Sequence, residues 1–217
     1  MRILRFLCNE FGVSIEPDAF LGSGATSMVF RVKKGEDVRA LKLTVGFENV
    51  KRIASDFYTL DRITTQGVPC VVHHASDFMY YPDSPDLQGG GFLLKEVGIP
   101  FDKEKNGLED VVSIMVALRA LHNYGYKHGD ARLANVVYIQ NFGWKWIDVG
   151  GSSIPYQEWR TFLGSASKYI PDYSRRYEFL MEYLGKLDDG IVDLSNFEND
   201  LRNLMSQSVS QLAASRV

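Results

Sequence analysis

Residues His128-Gly129-Asp130-Ala131-Arg132-Leu133-Ala134-Asn135, followed by Trp146-Ile147-Asp148-Val149-Gly150, carry the side chains of this chain best suited to chemistry. Asp130 can orient a hydroxyl and take its proton. Asn135 and Asp148 offer oxygen ligands of the kind that suit Mg²⁺, a cation that keeps several waters and takes few protein carboxylates. A lone loop aspartate is more often a turn former or helix cap. The asparagine five positions on and the second aspartate after an apolar run set Asp130 apart from that ordinary case. Together the three could hold a divalent cation under a nucleotide's phosphates, a task that needs mainly positioning and charge neutralisation.

The surrounding pattern supplies elements to position them. Leu108, Val111, Val112, Met115, Leu118, Leu121 and His122 recur at helical spacing over residues 108 to 124, and Gly125 reads as the helix stop. Val136 to Ile139 and Trp144 to Ile147 read as short strands around an Asn141-Phe142-Gly143 turn, which brings Asp130, Asn135 and Asp148 to one cleft. Upstream, residues 18 to 46 read as three strands, with Gly22 and Gly24 in the first hairpin and Lys34-Gly35-Glu36-Asp37 as the second turn. Val50, Ile53, Phe57, Leu60 and Ile63 form one apolar stripe of a helix over 47 to 65. Cys70 to His74 and Gly91 to Val97 suggest two more strands. The loop between them carries Pro82, Pro85 and Gly89-Gly90-Gly91, and the triple glycine reads as a flexible connector. His73 and His74 are adjacent and would face opposite sides of a strand, so a metal shared by them is not expected. After Gly150, Tyr177, Leu180, Met181 and Leu184 suggest one helix, and Leu194, Phe197, Leu201 and Leu204 another.

Read together, H-G-D-x-R-x-x-N and I-D-V-G resemble the H-R-D-x-x-x-x-N and D-F-G elements of the protein-kinase superfamily. Gly22-Ser23-Gly24-Ala25-Thr26-Ser27-Met28-Val29 resembles its glycine-rich loop, and Arg39-Ala40-Leu41-Lys42 its V-A-I-K strand. The elements stand in kinase order over about residues 18 to 152. The loop preceded by H-G, and the Trp ahead of I-D, look closer to atypical branches: aminoglycoside phosphotransferases and the kinase domains of crinkler-type effectors. A-P-E has no counterpart here, and only 67 residues follow Gly150, fewer than a full lower lobe.

The resemblance implies an α+β, bilobal fold in one domain. Residues 1 to about 97 would form an upper lobe with a five-stranded antiparallel sheet and one helix; about 98 to 217 would form a shortened, mainly helical lower lobe. It implies ATP and Mg²⁺ as cofactors and a γ-phosphate transfer to a hydroxyl of a protein or small molecule. Asp130, Arg132 and Lys42 are then the catalytic candidates. Lys42 would bridge the α- and β-phosphates, and Arg132 would face the γ-phosphate or form a structural ion pair. Gly22, Gly24, Ser27, Val29, Ala40, Lys42, Glu96 and Val97 would bind the nucleotide, the last two through their backbone, and Asn135 and Asp148 the metal. Asp56, one methylene shorter than the family's Glu, would pair with Lys42, with Glu48 the other candidate. Gly129 stands where many kinases have the Arg that meets a phosphorylated activation loop, Val149 replaces the D-F-G phenylalanine, and Ser27 replaces a third glycine. A pseudokinase scaffold, or nucleotidyl transfer on the same fold, remains the alternative.

Bulk properties fit an ordinary globular chain: 217 residues, 45% hydrophobic and 24% charged. A net charge of −3 gives no electrostatic case for nucleic acid as the main partner. Nothing approaches a membrane span or the apolar core of a signal peptide. Two cysteines, Cys8 and Cys70, make no disulfide framework, so a reducing compartment, cytoplasmic or nuclear, is expected.

Overall fold

The computed structural model describes residues 2–81, 88–151 and 153–207. Pro82 and Pro85 of the expected loop, and Ser152, lie outside them. The chain divides into two compact units, Met1–Gly98 and Ile99–Val217. The architecture is α+β, with a five-stranded antiparallel sheet and six α-helices among the described residues.

The first unit runs α1 (Arg2–Phe11), β1 (Ser14–Ser23), β2 (Met28–Lys34), β3 (Asp37–Val45), α2 (Phe47–Thr65), β4 (Met79–Tyr81) and β5 (Gly89–Leu94). The strands lie in the order β1-β2-β3-β5-β4. Strand alternation sends the two sides of β3 into different cores. Leu41 and Leu43 join Val32, Leu93 and the α1 residues Ile3, Leu7, Cys8 and Phe11 in one cluster. Burying Leu7, Leu41 or Leu93 in this way contributes roughly 1.5–3 kcal/mol each. Lys42, on the other side, stands opposite Val29 and Phe92 in the ladders. Phe57 of α2 meets Phe92 with ring centroids 5.0 Å apart, so α2 covers the side that carries Lys42.

Several expectations are corrected in this unit. It holds two helices rather than one, because Ile3, Leu7, Cys8 and Phe11 form an apolar stripe that the sheet needs as cover. The triple glycine is not a connector but the first half of β5. A Cβ at Gly89 would sit 2.4 Å from Ile3 Cδ1, one at Gly90 2.7 Å from Phe78 Cε1, and one at Gly91 2.4 Å from the Lys42 carbonyl oxygen. Only a chain without side chains fits between α1, Phe78 and β3. Residues 70 to 74 form no strand, only isolated bridges, one of them from His74 to Leu94. Strand β5 ends at Leu94, three residues before Val97, where Lys95 N–H turns to the His73 carbonyl at 2.9 Å and Arg39 holds the Lys95 carbonyl at 2.7 Å.

The second unit contains β6 (Ile99–Pro100), α3 (Leu108–Asn123), β7 (Val136–Ile139), β8 (Gly143–Trp146), α4 (Pro155–Ala166), α5 (Tyr173–Asp188) and α6 (Phe197–Ser206). Asp110 fixes the start of α3: its carboxylate accepts from Gly107 N–H at 3.0 Å and from the Trp144 indole at 3.1 Å. Gly125, at φ +79°, ends the helix with its N–H on the His122 carbonyl, and a left-handed residue there favours glycine. Helix α4 is absent from the sequence-based expectation. Its apolar side is Trp159, Phe162, Leu163 and Ala166, all fully buried, with Pro155 in its first turn. In α6 the buried positions are Phe197, Leu201 and Met205; the expected Leu204 is only half-buried and Leu194 is exposed. No helix among the described residues is long and apolar enough to cross a membrane.

Candidate functional site

Residues 126 to 135 leave α3 and pass under β7 and β8. His128, fully buried, presses its ring edge-on against Trp146 with centroids 4.6 Å apart. Its Nδ1 accepts the Asp130 N–H at 3.2 Å, which leaves the other ring nitrogen to carry the proton. Burial lowers the His128 pKa to about 4, overriding the opposing pull of Glu158, Asp148 and Asp130, so the ring is neutral at pH 7.

Asn135 ties the loop to Asp130. Its Nδ2 donates to the Asp130 carbonyl at 2.8 Å and to the Asp130 carboxylate at 3.0 Å. Both bonds use the amide nitrogen, and Oδ1 is the amide atom that can accept a cation. Arg132 also donates to the Asp130 carboxylate. Partial burial pushes the Asp130 carboxyl up, but the hydrogen bonds from Arg132 and Asn135 and the Arg132 charge outweigh it, and the group sits below the ordinary aspartate range. The same contact raises the Arg132 pKa. Arg132 forms an ion pair with Asp130.

Asp148 is brought beside this loop by two backbone bonds. Ile147 N–H donates to the Asn135 carbonyl at 3.0 Å, and Gly150 N–H to the His128 carbonyl at 3.1 Å. Between them Asp148 adopts φ +59°, a left-handed conformation that Asp tolerates better than most residues. Its side chain is exposed, while Val149 next to it is buried. Asp130, Asn135 and Asp148 are thus held by one continuous hydrogen-bonded backbone. Among the described residues no three His, Cys, Asp or Glu side chains are grouped to hold a metal by themselves.

Glu158, in the first turn of α4, was not foreseen. It is 2% exposed, yet its carboxylate accepts from His122 Nε2 at 2.6 Å, from Gly129 N–H at 2.6 Å and from the Ser153 hydroxyl. Burial pushes Glu158 up, but these donors and the nearby His128 N–H overcome it and bring the pKa down to about 2. One side chain therefore joins α3, the Asp130 loop and the segment after Gly150. The sequence signal was the helical spacing of Trp159, Phe162, Leu163 and Ala166, which places Glu158 next to the buried stripe. Ser165 adds a second link, accepting from Leu133 N–H at 3.2 Å and donating to the Phe162 carbonyl at 2.8 Å.

In the first unit, Val29, Ala40 and Lys42 share one side of the sheet, since Val29 stands opposite Lys42 and Ala40 lies two residues away on the same strand. Lys42 is only 6% exposed, which sets it apart from a solvated strand lysine. Gly22 and Gly24 end the first hairpin, where Gly24 N–H donates to the Ser27 carbonyl at 2.9 Å and Thr44 donates to the Thr26 carbonyl at 2.6 Å. Unlike Gly89 to Gly91, neither Gly22 nor Gly24 has any atom within 4 Å of where a Cβ would be. Asp56 is half-buried on the α2 turn that carries Phe57, whereas Glu48 is exposed in the first turn. Glu96 and Val97 follow the end of β5, outside the ladder. No protein-family model matches this chain, and no curated protein matches it.

Proposed function

We propose that this chain is an atypical kinase: an ATP- and Mg²⁺-dependent phosphotransferase of protein-kinase-like, bilobal fold that moves the γ-phosphate to a hydroxyl. The carrying observation is the union of Asp130, Asn135 and Asp148 on one hydrogen-bonded backbone, with the Asn135 amide turned onto Asp130. Asp130 is kept ionised at neutral pH and accepts the acceptor's proton as its oxygen bonds to the γ-phosphorus and the bond to the ADP oxygen breaks. The Asn135 Oδ1 and the Asp148 carboxylate suit Mg²⁺, whose other ligands would be waters and phosphate oxygens. The bound cation would neutralise charge on the phosphates.

Lys42 would contact the α- and β-phosphates. Its burial beneath α2, and the half-buried Asp56 on that helix, support the pairing of these two over Glu48. The open space at Gly22 and Gly24 supports a close backbone approach to phosphate, because packing gives no reason for glycine there. Glu96 and Val97 directly follow the end of β5 at Leu94 and would offer their backbone to the adenine edge. A second role, a nucleotide-binding scaffold without turnover, is favoured by one observation: Arg132 occupies the Asp130 carboxylate.

Melting temperature with ATP tests the nucleotide and metal together. ATP is expected to stabilise the protein more with Mg²⁺ than with EDTA, and Asp148→Ala is expected to abolish the difference. Equal shifts with Mg²⁺ and EDTA in the wild type would count against the metal roles of Asn135 and Asp148.

A further inference from the structure

A pocket of about 400 Å³ lies between α4 and the loop that carries Asp130. That volume falls in the range of small-molecule sites, about 300–1,000 Å³. Gly129 and Ala131 form one wall and flank Asp130 in sequence. Gln157, Arg160 and Thr161, all exposed on α4, form the other. Between them lie Ser153 and Glu158.

The charge balance of this pocket is unusual. Its one acid, Glu158, is sealed: His122 Nε2, Gly129 N–H and the Ser153 hydroxyl all donate to it. Its one base, Arg160, is open. Elsewhere in this unit Arg119 pairs with Asp188, Arg132 with Asp130 and Arg202 with Glu109, and Arg176 holds the Met205 carbonyl. Arg160 makes no ion pair among the described residues. The other polar side chains lining the pocket are the Arg160 guanidinium, a donor only, and the Gln157 amide and Thr161 hydroxyl, which can donate as well as accept. A guanidinium beside amide and hydroxyl donors matches a carboxylate or phosphate, to which it can donate two parallel hydrogen bonds.

We propose that this pocket is the acceptor site and that it takes a small alcohol bearing an anionic group, a carboxylate or phosphate, held by Arg160 with its hydroxyl directed to Asp130. The proposal rests on the phosphotransferase reading above and specifies its substrate class. Arg160 is a specificity-determining residue, not a catalytic one.

The test uses the full chain and paired alcohols that differ in the anion: glycerol with glycerol 3-phosphate, and ethylene glycol with glycolate. Affinity is measured without nucleotide by titrating the melting temperature, and transfer is measured with γ-labelled ATP and Mg²⁺. In at least one pair the anionic member should bind at least tenfold more tightly than the neutral one. Which pair responds distinguishes phosphate from carboxylate. Arg160→Gln should remove most of that preference, and Arg160→Lys, which keeps the charge and loses the fork, should retain part of it. The proposal is overturned if neither anion binds better than its neutral partner, if Arg160→Gln keeps the preference, or if transfer goes only to protein acceptors. Failure of the phosphotransferase reading would appear separately, as loss of Mg²⁺-dependent stabilisation by ATP, while the binding arm would still decide the pocket.

Discussion

Gly129 and Gly151 meet backbone to backbone: a Cβ on Gly129 would lie 2.4 Å from the Gly151 Cα, and one on Gly151 would lie 2.6 Å from the Gly129 Cα. Gly129 also has φ +89°. Position 129 is therefore closed to every side chain, for a steric reason. Gly129→Ala combines a left-handed non-glycine with overpacking, and is expected to cost roughly 2–4 kcal/mol. A thermal melt checks this, and a variant within a degree of wild type would contradict the close contact.

The opposite outcome is expected at Gly24, where a methyl meets nothing. Gly24→Ala should leave the melting temperature near wild type but weaken Mg-ATP binding severalfold, if the turn approaches phosphate. Unchanged affinity would mean that the glycine serves the hairpin alone.

Acid stability separates two buried groups. His128 titrates near 6.5 when unfolded and at about 4 in the fold, so its contribution is fully present above pH 6.5 and lost as pH falls towards 4. Glu158 has the same sign in a lower window: its contribution is present above about 4.5 and lost as pH falls towards 2. Stability measured by denaturant at stepped pH should decline across both windows. Glu158→Gln should flatten the lower one and cost about 1–3 kcal/mol at pH 7, as expected for hydrogen bonds to a charged group. A Gln variant with unchanged stability and an unchanged acid profile would show that Glu158 does not hold the loop.

How far the sequence could be read depended on whether a residue's partner was near in the chain. The α2 stripe is local and periodic, so its bounds could be read directly, and the Asp130 to Asn135 spacing already implied a shared loop. The triple glycine was misjudged because its reason lies in Ile3, Phe78 and the Lys42 carbonyl, all remote in sequence. Glu158 was missed partly for the same cause, since His122 and Gly129 are 36 and 29 residues away, and partly because the helical spacing of Trp159, Phe162, Leu163 and Ala166 beside it went unread. Gly129 was read only against the kinase pattern, whereas its contact with Gly151 is a steric reason for glycine that lies 22 residues away in the chain.

Arg132 is the strongest group holding the Asp130 carboxyl down. In Arg132→Ala that carboxyl should titrate at higher pH. If Asp130 is the general base we propose, the acid limb of the kcat/KM profile should move to higher pH with it. An unmoved limb would mean that another group controls it.

Phosphorylation after Gly150 should not be required for activity. Ser165 is committed to Leu133 and Phe162, Ser153 to Glu158, and Arg176 is buried on the Met205 carbonyl. Of the other hydroxyls in the segment, Tyr156 and Thr161 are exposed on α4 and Ser167 follows it. Phosphatase treatment should leave turnover nearly unchanged. A large loss restored by a phosphomimetic at Tyr156, Thr161 or Ser167 would contradict this, with Arg160 or Arg175 then the phosphate's partner.

The most direct measurement is single-turnover transfer from γ-labelled ATP with Mg²⁺ by wild type and Asp130→Asn, with nucleotide affinity measured on the same samples. Asn keeps the size of Asp130 and can still meet Arg132 or Asn135 through its oxygen, but it cannot take the acceptor's proton. Affinity should stay within about twofold while transfer falls about a hundredfold or more, as for the loss of a general base. Wild-type transfer by Asp130→Asn, or no Mg²⁺-dependent transfer by the wild type to any alcohol or protein, would contradict the phosphotransferase account.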